Sequence, residues 1–85
     1  MSRFTVSVHI VPRRGILDPQ GQAVADALHA LGFHDVAGAR IGRHVVLEVA
    51  AADAAAATTS VRDMCGRLLA NPVTEDFEIA TVEAA

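Results

Sequence analysis

The 85-residue sequence contains no lysine, no tryptophan and no tyrosine, and only three Phe. A Walker-type phosphate loop and Schiff-base catalysis both need an ε-amine, so the missing lysine excludes them. Three phenylalanines are too few rings to wall a deep ligand pocket with the chain's own aromatic side chains. Cationic charge is also scarce: seven Arg stand against ten acidic residues, for a net charge of −3. Binding to nucleic acid through its phosphates needs a basic excess, so this balance argues against it. The single Cys forms no internal disulfide and belongs to no C-x-x-C motif, which fits a reducing compartment. No run approaches the roughly 20 apolar residues of a membrane helix. No apolar signal segment follows Met1-Ser2-Arg3, so the expectation is a cytoplasmic protein off the membrane.

Alanine is plentiful. It supplies 17 of the 44 apolar residues, leaving 27 larger ones. A chain of this size buries only about 60–65% of its unfolded surface, so it is marginal without a partner. One domain over residues 1–85 is expected, with an ordered core near 3–82 and no repeat at a solenoid period.

Residues 4–11 alternate strictly, with Phe4, Val6, Val8 and Ile10 on one face and Thr5, Ser7, His9 and Val11 on the other: a half-buried strand. Asp18 then caps a helix, Pro19 suits its first position, and Val24, Ala27, Leu28 and Leu31 recur at helical spacing until Gly32 stops it. The spacing predicts this helix over 19–31. A thinner strand is expected over 35–41, a hairpin turn at Gly42-Arg43, and a stronger strand over 44–50. Asp53 caps a second helix, predicted over 53–70, with Ala57, Val61, Met64, Leu68 and Leu69 as its stripe and Asn71-Pro72 as its stop. Asn71 is read at C′, because Asn tolerates the left-handed conformation there. A last strand is predicted over 76–82, with Glu83-Ala84-Ala85 fraying.

The order β-α-β-β-α-β implies a ferredoxin-like α+β sandwich, an antiparallel sheet with both helices on one face. The open face would carry His9, Val11, Val46, Glu48, Glu78, Ala80 and Val82. That mixture is apolar enough to expect another subunit over it, most simply a homodimer formed through strands.

Candidate chemistry is thin. His9, His29, His34 and His44 form no metal-ligand motif, although His9 and His44 can meet if their strands are adjacent. Cys65 lies mid-to-late in its helix, away from the electropositive N-terminus that activates a thiol, and reads as packing. Arg13 and Arg14 beside Gly15 invite a phosphate, but Asp18 and Pro19 already occupy the following helix start. No catalytic, cofactor or metal residue is assigned. Asp18, Pro19, Gly32, Gly42, Asn71 and Pro72 are explained by folding. Gln20, Gly21, Arg40, Glu75 and Asp76 are not, and they are the candidate partner-interface residues. Gly21 is the sharpest of them. Gly in a first turn costs about 0.5–1 kcal/mol relative to Ala, so another backbone is expected close to it.

Three segments carry a resemblance: Gly-Ile-Leu-Asp-Pro-Gln-Gly-Gln-Ala-Val (15–24), Ala-Arg-Ile-Gly-Arg (39–43) and Leu-Leu-Ala-Asn-Pro-Val-Thr-Glu-Asp-Phe-Glu-Ile (68–79). In this order, from Phe4 to Ile79, they resemble the PurS family, the small subunit of phosphoribosylformylglycinamidine synthase. Arg43 and Thr74 depart from the family's usual Lys and bulky aliphatic. The resemblance implies a role in de novo purine synthesis, in the conversion of formylglycinamide ribonucleotide, glutamine and ATP to formylglycinamidine ribonucleotide. It implies partners of the PurL (synthetase) and PurQ (glutaminase) types, with the small subunit bridging them and assisting ammonia transfer. ATP and Mg²⁺ would sit on the synthetase, with no cofactor on this chain. The competing reading is a free-standing ferredoxin-like regulatory or ligand-binding module. It would need a glycine-lined effector site, for which only Gly15 and Gly21 are available.

Overall fold

Strict alternation makes the N-terminal segment the middle of the sheet. In the computed structural model, which describes residues 1–85, β1 (Ser2–Pro12) pairs antiparallel with β2 (Arg43–Ala51) on one side and β3 (Glu75–Ala84) on the other. Being central, β1 has both edges satisfied, and its Val6, Val8 and Ile10 are fully buried. Val45, Leu47 and Val49 of β2 lie opposite Val8, Val6 and Phe4. Phe77, Ile79 and Val82 of β3 flank the same row.

Val82 is a correction to the expected open face. Between Ser7 and Val8 the β1–β3 register slips, so that Ser7 opposes Thr81 while Val8 opposes Ile79. Ala80 is the extra residue. A bulge of this kind inverts side-chain direction beyond it. Val82 therefore joins the core, and Thr81 and Glu83 take its place on the open face. That face is more polar than alternation alone predicts. β3 also runs on to Ala84, and the Ala85 amide donates to the Arg3 carbonyl at 2.9 Å, so the expected fraying is not seen.

One helix covers the sheet. α2 (Ala54–Met64) starts at Asp53, whose carboxylate accepts the Ala56 amide at 2.8 Å, and it sets Ala57 and Val61 against Val6, Val8 and Ile10. Each buried Val or Ile there contributes about 1.5–3 kcal/mol. The helix does not continue regularly to residue 70. It widens into a π-helical turn, Cys65–Leu69, in which the Ala70 amide reaches back to the Cys65 carbonyl at 3.0 Å. The buried stripe accordingly runs Ala57, Val61, Cys65 and Ala70, and Leu68 points outward. Asn71 is not left-handed, since every residue with positive φ is glycine. Its side chain instead accepts the Val73 amide at 3.0 Å, an Asx turn that leads into β3.

α1 (Pro19–Ala30) starts at the predicted residue and ends one residue before the predicted 31, with Leu31 as its C-cap. Gly32 sits at φ +99, and the amides of Gly32 and Phe33 bond the His29 and Leu28 carbonyls at 3.0 Å each, the glycine-dependent helix stop. Its position differs from expectation, because α1 does not lie across the sheet as α2 does. It packs instead against residues 33–41, which form an irregular segment with no ladder partner in place of the predicted strand and hairpin. Gly38 and the small residues around it give this segment little to pack. Gly42 is no hairpin residue either. An added Cβ there would overlap the Ile10 carbonyl oxygen, so the glycine lets β2 enter close beside β1. The α+β class and antiparallel sheet hold, with three strands rather than four. The protomer measures 51 × 25 × 14 Å with a radius of gyration of 16.2 Å. A compact chain of this length has a radius of about 12 Å. The excess is the α1 arm.

Candidate partner-docking site

Pro12, Arg43 and Glu75 end or begin the three strands at one end of the sheet, and two of the sequence candidates, Glu75 and Asp76, lie there. Arg43 donates both terminal nitrogens to the Glu75 carboxylate at 2.9 Å, and Nη2 also reaches the Leu69 carbonyl at 2.7 Å. Glu75 in turn accepts the Asn71 amide at 2.8 Å. The bidentate guanidinium and then the Asn71 amide hold the Glu75 carboxyl below its ordinary value, and the same pair raises Arg43. Only 14% of the Glu75 side chain is exposed. Glu75 is thus the clasp that ties the end of the π-helical turn to β2 and β3, and its place in the sequence needs no partner protein to account for it.

Arg13 makes the second clasp. It pairs with Asp76 at 3.0 Å and donates to the Pro72 carbonyl at 2.8 Å, while its own amide bonds the Thr74 carbonyl. Both charged side chains remain about half exposed, so this pair contributes little stability and stays free to exchange partners.

Gly21 and Arg40 belong to the root of the α1 arm. A backbone does approach Gly21 closely, as its sequence position predicts, but it is this chain's own. A Cβ at Gly21 would overlap the Ala39 carbonyl oxygen and the Asp18 carboxylate. Asp18 bridges the two segments, accepting the Gly21 amide at 3.1 Å and the Ile41 amide at 2.9 Å. Those two amides, Ile41 foremost, hold the Asp18 carboxyl below its ordinary value. Arg40 donates to the Pro12 carbonyl at 3.2 Å. Gln20 is exposed on the first turn.

Between the arm and the sheet edge lies an open groove of about 750 Å³. Arg13, Arg14 and Arg40 line it, with Asp18 as the single carboxylate and Ile16 and Leu17 as its apolar wall. Arg14 forms no ion pair within the chain. The groove can receive an anionic or carboxylate-bearing partner segment beside an apolar one. Arg13, Arg14 and Arg43 are absent from the sequence-derived interface set. The Arg13-Arg14-Gly15 cluster was the signal for the first two, and nothing local marks Arg43, whose partner is 32 residues away.

Cys65 is fully buried in the core under α2, and burial pushes its thiol up despite the opposing Arg62 charge. His9 and His44 do meet, across β1 and β2. No group of three or more His, Cys, Asp or Glu is arranged to hold a metal ion. No helix is long and apolar enough to cross a membrane.

Residues 5–83 match the family described as PurS: Phosphoribosylformylglycinamidine (FGAM) synthase. The phosphoribosylformylglycinamidine synthase subunit PurS of Synechocystis is 40% identical over 80 residues, spanning 92% of this chain and 80% of that one. The structure of Thermus thermophilus PurS superposes with a TM-score of 0.82 at 36% identity, covering 95% of each chain. A chain in the structure of PurLQS from Thermotoga maritima superposes with a TM-score of 0.83 at 29% identity over the full length of both. These likenesses extend over nearly the whole chain and set aside the free-standing regulatory module. The chain belongs to the PurS family, the small subunits of phosphoribosylformylglycinamidine synthase.

Proposed function

We propose that this chain acts by docking, bridging a PurL-type synthetase and a PurQ-type glutaminase and assisting the passage of ammonia between them. In this reading the assembled enzyme makes formylglycinamidine ribonucleotide from formylglycinamide ribonucleotide, glutamine and ATP in the cytoplasm. ATP and Mg²⁺ belong to the synthetase, and the chain contributes surface rather than reacting groups. The observation that carries the proposal is the amount of large apolar side chain left uncovered. Leu17 is 85% exposed, Leu31 74%, Phe33 55% and Leu68 82%, and only 10 of 85 residues are buried. Scattered exposed apolar residues are ordinary, but Leu17, Val24, Leu31 and Phe33 all belong to one arm held off its own sheet. Such an arm has its apolar stripe ready for another chain. A second copy of this protein is the first such chain, and the larger subunits add to the dimer.

With Glu75 and Gly21 explained inside the fold, the docking candidates that remain are Gln20, Asp76, Arg40 and the groove's Arg14. Sedimentation at micromolar concentration tests self-association, and a mass of one chain overturns the dimer. Co-purification with the two larger subunits tests the bridge. Arg14→Glu combined with Gln20→Ala is expected to leave the dimer intact and weaken capture of the larger subunits. Full capture by that variant removes the groove from the docking surface, and no capture by the wild-type chain removes the proposal.

A further inference from the structure

The open face of the sheet carries a pair of side chains that lie outside the groove and the arm. His9 on β1 and His44 on β2 are cross-strand partners, both exposed, and their Nδ1 atoms face each other at 3.1 Å with ring centroids 4.7 Å apart. We propose that His9 and His44 form a two-nitrogen chelate for a borderline divalent transition-metal ion of the Zn²⁺, Ni²⁺ or Cu²⁺ class.

Metal–imidazole bonds to Zn²⁺ are about 2.0–2.1 Å long. Two such bonds meeting at angles between square and tetrahedral place their nitrogens about 2.9–3.4 Å apart. The observed 3.1 Å falls inside that interval, so the two cross-strand rings already stand at the bite a metal ion needs. Two facing Nδ1 atoms share a single proton, one ring donating and the other accepting. When an ion enters, the proton on the donor's Nδ1 moves to Nε2 of the same ring. Both Nδ1 lone pairs are then free, no net charge is lost, and a small rotation of the rings (tilted at 37°) turns the pairs toward a common point. The rest of the face suits a cation. Glu78 lies beside His9 on β3, on the side away from His44, and Glu48 and Glu83 share the face, against Arg3 as the cation outside the Arg13–Asp76 clasp. No third ligand is in place, so water completes the coordination. Imidazole and water together suit first-row ions, in the affinity order that peaks at Cu²⁺. Lying on the sheet face away from α2, the site leaves the groove and the arm free.

The test uses Zn²⁺ alone, added to the purified full chain, with imidazole nitrogen spectra reporting all four histidines and calorimetry reporting affinity. At one equivalent, the Nδ1 resonances of His9 and His44 are expected to shift together, ahead of those of His29 and His34. His9→Gln and His44→Gln should each weaken binding at least about tenfold, as losing a ligand costs no less than losing a group that orients one. His34→Gln should leave it unchanged. Both histidines are exposed, so an unchanged melting temperature checks that the variants fold. Shifts confined to His29 or His34, or unchanged affinity in either single variant of the pair, overturn the proposal.

Discussion

Replacing Gly21 is the sharpest perturbation of the arm, because two opposite effects meet at one carbon. In an open helix, Gly→Ala gains about 0.5–1 kcal/mol. Here the new methyl would overlap the Ala39 carbonyl oxygen, which belongs to backbone, and the Asp18 carboxylate, which is already bonded to Ile41. Overpacking of this kind costs about 1–3 kcal/mol, so Gly21→Ala should be destabilising by about 1–2 kcal/mol net. For a domain of this size each kcal/mol moves the melting temperature by about 4–8 °C. Gly66 is the internal control. It lies in the π-helical turn with open space where a Cβ would stand, so Gly66→Ala should stabilise by about 0.5–1 kcal/mol. Because α1 barely touches the sheet, the damage at Gly21 should appear first as local opening. Amide exchange across residues 19–41 should accelerate while β1 and α2 stay protected. Urea unfolding and exchange, both at one fixed protein concentration, measure this. A Gly21→Ala protein as stable as wild type, with the arm still protected, would refute the close approach of residue 39. Gly21→Leu should release the arm outright.

Other consequences follow from the clasp and the core. Glu75→Gln should lower stability by about 1–2 kcal/mol in urea titrations, and Arg43→Lys should also weaken the clasp, because an ammonium cannot reproduce the two-pronged contact. Asp18 and Glu75 both have lower pKa values folded than unfolded, so folding is favoured while they are ionised. That contribution is complete above the ordinary values of 3.8 and 4.5 and is lost as pH falls through and below them. Stability measured from pH 6 to 2 should therefore drop more steeply in wild type than in Glu75→Gln. Cys65, buried and with its thiol pushed up, should resist thiol reagents until urea unfolds the chain, and rapid labelling of the native protein would contradict its place in the core. Cys65→Ser should reduce stability through the buried hydroxyl but leave the assembled enzyme active.

What the sequence reveals here is local. Alternation from Phe4 to Ile10, the Asp18 and Asp53 caps and the Gly32 stop are each decided within a few residues, and all are present as read. The strand expected at 35–41 fails because a strand is defined by its neighbour, and no neighbour is available to that segment in one chain. Val82 is misplaced by one inserted residue, Ala80, whose effect on register depends on β1 rather than on β3's own alternation. Leu68 and Cys65 exchange roles because the helix widens at its last turn. The candidate site shows the same division. Unusual residues such as Gly21 and Glu75 are visible in sequence, but whether they serve a partner or the chain itself depends on Ala39 and Arg43, far along the chain.

The measurement closest to the central claim is reconstitution from separately purified subunits. The synthetase, the glutaminase and this chain are combined, and formylglycinamidine ribonucleotide formation is followed with glutamine or with an ammonium salt as nitrogen source. The chain alone should turn over nothing. Omitting it should abolish most of the glutamine-dependent synthesis while leaving the ammonium-dependent reaction of the synthetase largely intact, because what is lost is assembly and ammonia delivery rather than a reacting group. Equal loss of both reactions, or undiminished glutamine-dependent synthesis without the chain, would contradict a bridging role.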